Sequence, residues 1–215
     1  MLNIKTFEVN PLSENCYVVS DETKEAVIID CGCFHPNEWK TIKIYIDKEG
    51  LKVTHLLNTH LHFDHVMGVP MAFNDLGLGP EANKGDLNIY NKVEDQFRQV
   101  VNMSIPHIEM PPLSRELKDG DEIAFGNHTF VVVQTPGHTQ GGICFYCKEE
   151  NVLFTGDTLF RMSIGRTDLE GGSFDSLMQS IQNRLSILPP ETVAYPGHGP
   201  STTIADECRY NPYFN

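Results

Sequence analysis

Apolar positions recur along the chain in runs of period two and in runs near 3.6, and the two kinds of run come in blocks. Asn3 to Val9, Cys16-Tyr17-Val18-Val19 and Ala26-Val27-Ile28-Ile29-Asp30 read as an opening meander of strands, broken at Pro11 and Asn15 and turned at Asp21-Glu22. Pro36 to Lys48 carries Trp39, Ile42, Ile44 and Ile46 and predicts a helix on that sheet, ended by Gly50. Val53 to Asn58 reads as a buried strand, and His65 to Leu76 as a helix stopped by Gly77-Leu78-Gly79-Pro80. Ile89, Val93, Phe97, Val100 and Val101 fall at helical spacing, so a helix is expected within Leu87 to Met103. From Asp121 strands return at Glu122-Ile123-Ala124-Phe125, Phe130 to Gln134, Ile143 to Cys147 and Asn151 to Phe154. Ser173 is placed to cap a helix running from Phe174 to Gln182, with Pro189-Pro190 beyond it. Periodicity alone therefore gives mixed α and β, with no internal repeat.

Composition narrows the class. With 215 residues and 40% hydrophobic content, the chain can bury a sizeable core as one large domain or two small ones. No stretch approaches the roughly 20 apolar residues of a membrane span, and Met1-Leu2-Asn3-Ile4-Lys5 does not read as the start of a signal peptide. A formal net charge of −13 without a basic patch argues against nucleic acid as a partner. In Ile143-Cys144-Phe145-Tyr146-Cys147 the two thiols three apart on a strand face opposite sides. This suits neither a redox pair nor a zinc knuckle, so the six cysteines are expected to be reduced and structural, in a cytoplasmic protein.

Candidate chemistry is concentrated in Thr59-His60-Leu61-His62-Phe63-Asp64-His65, three imidazoles and a carboxylate within six residues. Imidazole nitrogen and carboxylate oxygen are the ligands that zinc and similar divalent metals prefer. His60 and His62 lie two apart in extended chain and can converge on one ion. Asp64 and His65 begin a helix and point elsewhere, which suggests two metals. Further ligand-like residues each follow an apolar run in a Gly-containing turn: Thr135-Pro136-Gly137-His138-Thr139, Thr155-Gly156-Asp157-Thr158 and Tyr195-Pro196-Gly197-His198-Gly199. Five of the nine histidines sit in these segments, whereas His35, His55 and His107 lack such company and read as structural, and His128 as a hairpin-turn residue. The span from His60 to His198 favours one domain over residues 1–215.

In this ordered set of motifs the chain resembles the metallo-β-lactamase fold superfamily. The resemblance implies a four-layer αβ/βα sandwich of two mixed β-sheets flanked by helices. It assigns His60, His62 and His138 to one metal and Asp64, His65 and His198 to the other, with Asp157 bridging and two divalent ions, zinc first and iron or manganese as other candidates. It also implies a bridging hydroxide that attacks a carbonyl carbon, oriented by Asp64, between metals about 3.5–4 Å apart. Asp30 reads either as a turn-capping residue or, as in families the chain resembles, as an acid supporting the metal ligands from behind.

Gly156-Asp157-Thr158-Leu159-Phe160, Ser163-Ile164-Gly165-Arg166-Thr167-Asp168 and Tyr195 to Thr203 resemble a short bacterial branch of the glyoxalase II (hydroxyacylglutathione hydrolase) group. This implies hydrolysis of a small acyl thiol such as S-lactoylglutathione. A thiolate leaves without prior protonation, and no acid stands in the motifs. The absence of a cysteine from every motif departs from zinc β-lactamases and argues against an antibiotic-degrading role. Glutathione-specialised enzymes of the group carry a basic helical C-terminal extension, whereas this chain ends seventeen residues after His198 and has Asp168 where an aromatic contact is expected. Arg166 is placed either to bind substrate or to form an ion pair, and Tyr90 or Phe97 either to line the substrate pocket or only to pack. The alternatives to a thioesterase are an iron-dependent persulfide dioxygenase using His60, His138 and Asp157, and a non-catalytic metal-binding scaffold.

Overall fold

The period-two runs become sheets whose inner strands bury both faces, while edge strands leave one face to solvent. In the computed structural model, which describes residues 1–214, the first sheet is formed by β1 (Asn3–Val9), β2 (Glu14–Ser20), β3 (Glu25–Ile29), β4 (Lys52–Leu57), β5 (Pro80–Ala82) and β6 (Arg115–Glu116), in that order. β1 to β3 pair antiparallel, and β3 to β6 pair parallel. The second sheet is built from β7 (Glu122–Phe125), β8 (His128–Gln134), β9 (Ile143–Cys147), β10 (Val152–Gly156), β13 (Val193–Pro196) and β14 (Thr202–Thr203). Its order is β14-β13-β10-β9-β8-β7, with β10 and β13 parallel and the other pairs antiparallel. Between β10 and β13 lies a small hairpin, β11 (Leu159–Phe160) with β12 (Ser163–Ile164).

Alternation along the strands sorts side chains into three apolar layers. Tyr17 and Val19 of β2, Val27 and Ile29 of β3 and Leu57 of β4 face Phe130, Phe145 and Phe154 between the sheets. Val18, Ile28 and Leu56 face outward onto α1 (Pro36–Glu49), α2 (Phe63–Val66) and α3 (Val69–Leu76), through residues such as Trp39, Ile42, Val66 and Val69. The short helix α4 (Leu87–Tyr90) and α5 (Val93–Val101) join the same outer layer through Ile89 and Phe97. On the far side Cys144, Tyr146 and Leu153 meet Leu177 of α6 (Phe174–Ser180) and Ile204 of α7 (Ile204–Tyr210). The result is the helix–sheet–sheet–helix sandwich that the motifs imply. Among the described residues no helix is long and apolar enough to cross a membrane. All six cysteines are free, with Cys144 on the outer face and Cys147 between the sheets.

Three expectations change in detail. The helix expected from His65 to Leu76 is two helices, because Gly68 N–H leaves the helical ladder to donate to the Cys31 carbonyl at 2.9 Å. The helix expected within Leu87 to Met103 breaks at Asn91-Lys92, where the Ile89 carbonyl accepts from Lys92 N–H and from the Gln96 side-chain amide instead of continuing the ladder. His128 is no turn residue: it opens β8, is buried, and lies 3.0 Å from both Asp21 and Glu150 carboxylate oxygens. The expected caps hold, since Gly50 takes the left-handed conformation after α1 (φ 65°) and Ser173 Oγ accepts from Ser176 N–H at the start of α6.

Candidate metal centre

The sequence-predicted residues meet where strands end. His60 and His62 follow β4, His138 follows β8, Asp157 follows β10 and His198 follows β13. β8, β10 and β13 run in one direction, so their following loops emerge at the same end of the second sheet. Two glycines allow the close approach: a Cβ on Gly156, whose φ is +47°, would run into Thr59, and one on Gly197 would collide with Asp157 and lie 2.6 Å from His65 Cε1.

The predicted residues form two groups of ligand-type atoms, each with its members within 4.8 Å of one another: His60, His62 and His138, and Asp64, His65 and His198; a third group of the same tightness, Asp30, His60 and His65, draws on both. Asp157 faces both. Its Oδ1 lies 3.4 Å from His65 Nε2, and its Oδ2 lies 3.6 Å from His138 Nε2 and 3.7 Å from His198 Nε2. Asp64 Oδ2 is 3.3 Å from His198 Nε2.

Four of the five imidazoles are aimed by a partner behind them. His60 Nδ1 is 3.1 Å from Thr59 Oγ1, His138 Nδ1 is 2.7 Å from the Arg166 carbonyl, and His198 Nδ1 is 3.0 Å from the Leu12 carbonyl. His65 Nδ1 faces Asp30 Oδ2 at 3.1 Å, though without hydrogen-bond alignment. With Nδ1 occupied in this way, Nε2 is the nitrogen turned toward the shared centre, the arrangement expected of metal-binding histidines. Asp30 follows the second of its two readings in where it sits, because its carboxylate accepts from Thr59 N–H and Oγ1, each at 2.7 Å, in the segment that carries His60 rather than in its own turn.

The electrostatics of these side chains suit a cation. Burial pushes His60 well below the ordinary imidazole range and His62 down to about 3, with neighbouring imidazoles adding to the effect. Burial opposes charge on Asp157 and Asp64 too, yet His65 holds both carboxyls low. Burial likewise disfavours a charged His65, but Asp157, Asp64 and Asp30 outweigh it and hold that imidazole well above its usual range. A proton kept on His65 by three carboxylates occupies the place where a divalent cation would do better. Moreover, His60 Nε2, His65 Nε2 and Asp157 Oδ1 are shielded from solvent without a hydrogen-bond partner. Such orphaned polar atoms are costly, and metal ions held by the two groups would satisfy all three. The imidazole and carboxylate set fits zinc, iron or manganese.

A cleft of about 660 Å³, open mouth included, lies over the centre and reaches His62, Asp64, His138 and Asp157. Its apolar wall is Leu12, Phe63, Ile89, Val100 and Leu169, with Gln96, Gln99, Arg166 and Glu170 beside them. The α4–α5 region thus covers the site mouth, but neither Tyr90 nor Phe97 lines this cleft. Tyr90 is buried, with its hydroxyl donating to the Pro111 carbonyl at 2.8 Å, and Phe97 stacks on Phe34 at 5.3 Å while backing Phe63. Both follow the packing alternative. Arg166 is at the mouth, but its guanidinium is engaged two-pronged by Asp168 at 2.7 and 2.8 Å, as the ion-pair alternative has it.

Residues that sequence reasoning passed over also surround the centre. Glu14 is fully buried 3.9 Å from His65 Nδ1, and burial raises its carboxyl. Gln96 accepts from Phe63 N–H and donates to the Ile89 carbonyl, tying two cleft walls together. Asp86, in the turn before α4, is buried behind the ligand loops. None follows a motif, and only the partners brought by folding reveal them.

A family model described as the metallo-beta-lactamase superfamily matches residues 9–198. The chain belongs to that superfamily. Within the metallo-β-lactamase superfamily it is 33% identical to the hydroxyacylglutathione hydrolase GloC of Haemophilus influenzae, over 100% of this chain and 99% of that one. Its fold matches the crystal structure of the BLEG-1 B3 metallo-β-lactamase with a TM-score of 0.88 at 33% identity, covering 99% and 100% of the two chains. It also matches a protein crystallised in a di-iron-bound form, with a TM-score of 0.86 at 37% identity over 97% and 99% of the chains.

Proposed function

We propose that this superfamily member, acting as one domain over residues 1–215, is a dinuclear metal-dependent hydrolase of acyl thioesters, with S-lactoylglutathione or a related hydroxyacyl thiol as substrate. One observation carries the reading: seven donors, His60, His62, Asp64, His65, His138, Asp157 and His198, converge under an apolar cleft whose titratable lining offers no free acid for a leaving group. Besides the donors themselves the charged lining is Arg166, paired with Asp168, and Glu170, paired with Lys92 and hydrogen-bonded to Asn88. A thiolate needs no proton to depart, whereas an amide nitrogen does. The likeness to a hydroxyacylglutathione hydrolase points the same way.

Divalent ions held by these donors, zinc in our reading, would supply a water acidic enough to act near neutral pH and a Lewis acid for the carbonyl. The chain's own residues do the rest. Asp64, kept ionised by its imidazole neighbours, is at the cleft floor and accepts a hydrogen bond from the attacking water, fixing its approach. Phe63, Ile89 and Val100 exclude bulk water from the acyl group, and Gln96 braces the first two against each other. The presence of two donor groups, with Asp157 facing both, favours this two-metal reading over a mononuclear persulfide dioxygenase built on His60, His138 and Asp157, and over a non-catalytic scaffold.

The test follows thioester absorbance with S-lactoylglutathione and zinc-loaded protein, with chelated protein and His62→Ala as controls. Metal-dependent loss of absorbance is expected. Absence of turnover by protein carrying two zinc ions per chain would reject the glutathione thioester. The likeness to BLEG-1 makes a chromogenic β-lactam the first substrate to try next, followed by oxygen uptake with a thiol persulfide and iron-loaded protein.

A further inference from the structure

Asp86 belongs neither to the seven donors nor to the cleft wall, and nothing in the proposed chemistry uses it. It is nevertheless only 2% exposed, a placement that is costly for a carboxylate unless its lone pairs are taken. Three donors take them. Leu61 N–H and Thr139 Oγ1 donate to Oδ2 at 3.2 and 2.8 Å, and Gly141 N–H donates to Oδ1 at 2.6 Å.

The identity of those donors gives the arrangement its meaning. Leu61 stands between His60 and His62, and Thr139 follows His138 directly. One loop leaves β4 of the first sheet and the other leaves β8 of the second. A single carboxylate thus grips from behind the two loops that carry all three imidazoles of one ligand group. The backbones are pressed together to allow it: a Cβ on Gly141 would lie 2.7 Å from Asp86 Cγ, and one on Gly85 would lie 3.1 Å from Gly141 Cα. A further clasp between these segments is Ile143 N–H to the Thr59 carbonyl, at 2.9 Å. The other ligand group is backed by the Leu12 carbonyl behind His198 and by Asp30 behind His65, a carboxylate that also reaches His60 through the Thr59 hydroxyl.

We propose that Asp86 is a positioning residue that sets the spacing of His60 and His62 against His138, and thereby the affinity of that one metal position. The inference rests on the two-metal reading but not on any substrate.

Stepwise zinc affinities, read by competition with a chromophoric chelator, and the visible spectrum of the cobalt(II) form would be compared in wild type, Asp86→Asn and Thr139→Val. Asp86→Asn turns an amide N–H₂ toward donors and is expected to weaken one zinc position about 10- to 100-fold, leaving the other unchanged. The cobalt(II) bands of one position should shift, and activity lost at limiting zinc should return with excess zinc, a rescue that a general folding defect would not give. Thr139→Val removes one donor at nearly constant volume and is expected to weaken the same position by less. If Asp86→Asn does not fold, Thr139→Val decides alone. Wild-type affinities at both positions in the folded variants, or equal weakening of both, would overturn the inference. A wild type that binds fewer than two zinc ions would overturn the two-metal reading, and this inference with it.

Discussion

Asp30 Oδ2 lies 3.1 Å from His65 Nδ1 and also accepts the Thr59 hydroxyl, whose oxygen is 3.1 Å from His60 Nδ1. One buried carboxylate therefore stands behind a histidine of each ligand group. It leaves β3 with φ +54°, a left-handed conformation that Asp tolerates better than most residues.

Asp30→Asn cannot accept from both Thr59 donors while facing His65. We expect metal affinity to fall about 10- to 100-fold, and stability by about 1–3 kcal/mol as a buried donor is orphaned. Metal content after dialysis against a chelator, with thermal melts of both proteins, checks this. Full retention of both metals would show that Asp30 only ties the end of β3 to the Thr59 segment.

Gly197→Ala places a methyl group against Asp157 and His65 without requiring a new backbone conformation. Displacement of those donors by a fraction of an ångström to an ångström is expected to cost about a hundredfold in turnover, with the sheets intact by circular dichroism. Unchanged turnover would mean that the loop has room the structure does not provide.

Tyr90→Phe removes a buried hydrogen bond to Pro111 and nothing from the cleft. The expected result is a loss of about 0.5–1.5 kcal/mol in denaturant unfolding, with the Michaelis constant unchanged. A raised Michaelis constant would restore Tyr90 as a substrate contact.

For metal-free protein, stability should fall on both sides of a maximum. His62, held down at about 3 when folded against 6.5 in the reference state, takes up protons only on unfolding between those values, so stability drops as pH falls through that window. The lowered carboxyls of Asp64 and Asp157 act in the same direction. His65 and His198 are raised, so their contribution is complete below the reference value and is lost as pH rises through their folded values. Melting temperatures of chelated protein across pH would show the maximum, and zinc should displace the His65 proton and remove the alkaline loss. A flat profile for chelated protein would contradict these shifts.

The elements and the candidate ligands were legible in the sequence because each rests on a local rule. The apolar runs at β2 and β3 marked strands, alternation along β9 sorted Cys144 from Cys147, and the helix caps at Gly50 and Ser173 followed from backbone conformation and side-chain chemistry. The seven ligand-type residues stood out because imidazole and carboxylate are rarely clustered without a cation to hold. Tertiary structure alone decided what surrounds them. Asp86, Glu14 and Gln96 stand apart in the sequence from the groups they face, so no spacing announces them. The helical stripe around Phe97 marked the apolar face, but only the packing of Phe97 on Phe34 and Phe63 and of Tyr90 on Pro111 left Ile89 and Val100, rather than those two, at the cleft. Periodicity reports which side of a helix is buried, whereas a binding wall depends on what that side is buried against, and only the packing of two sheets and their helices supplies this.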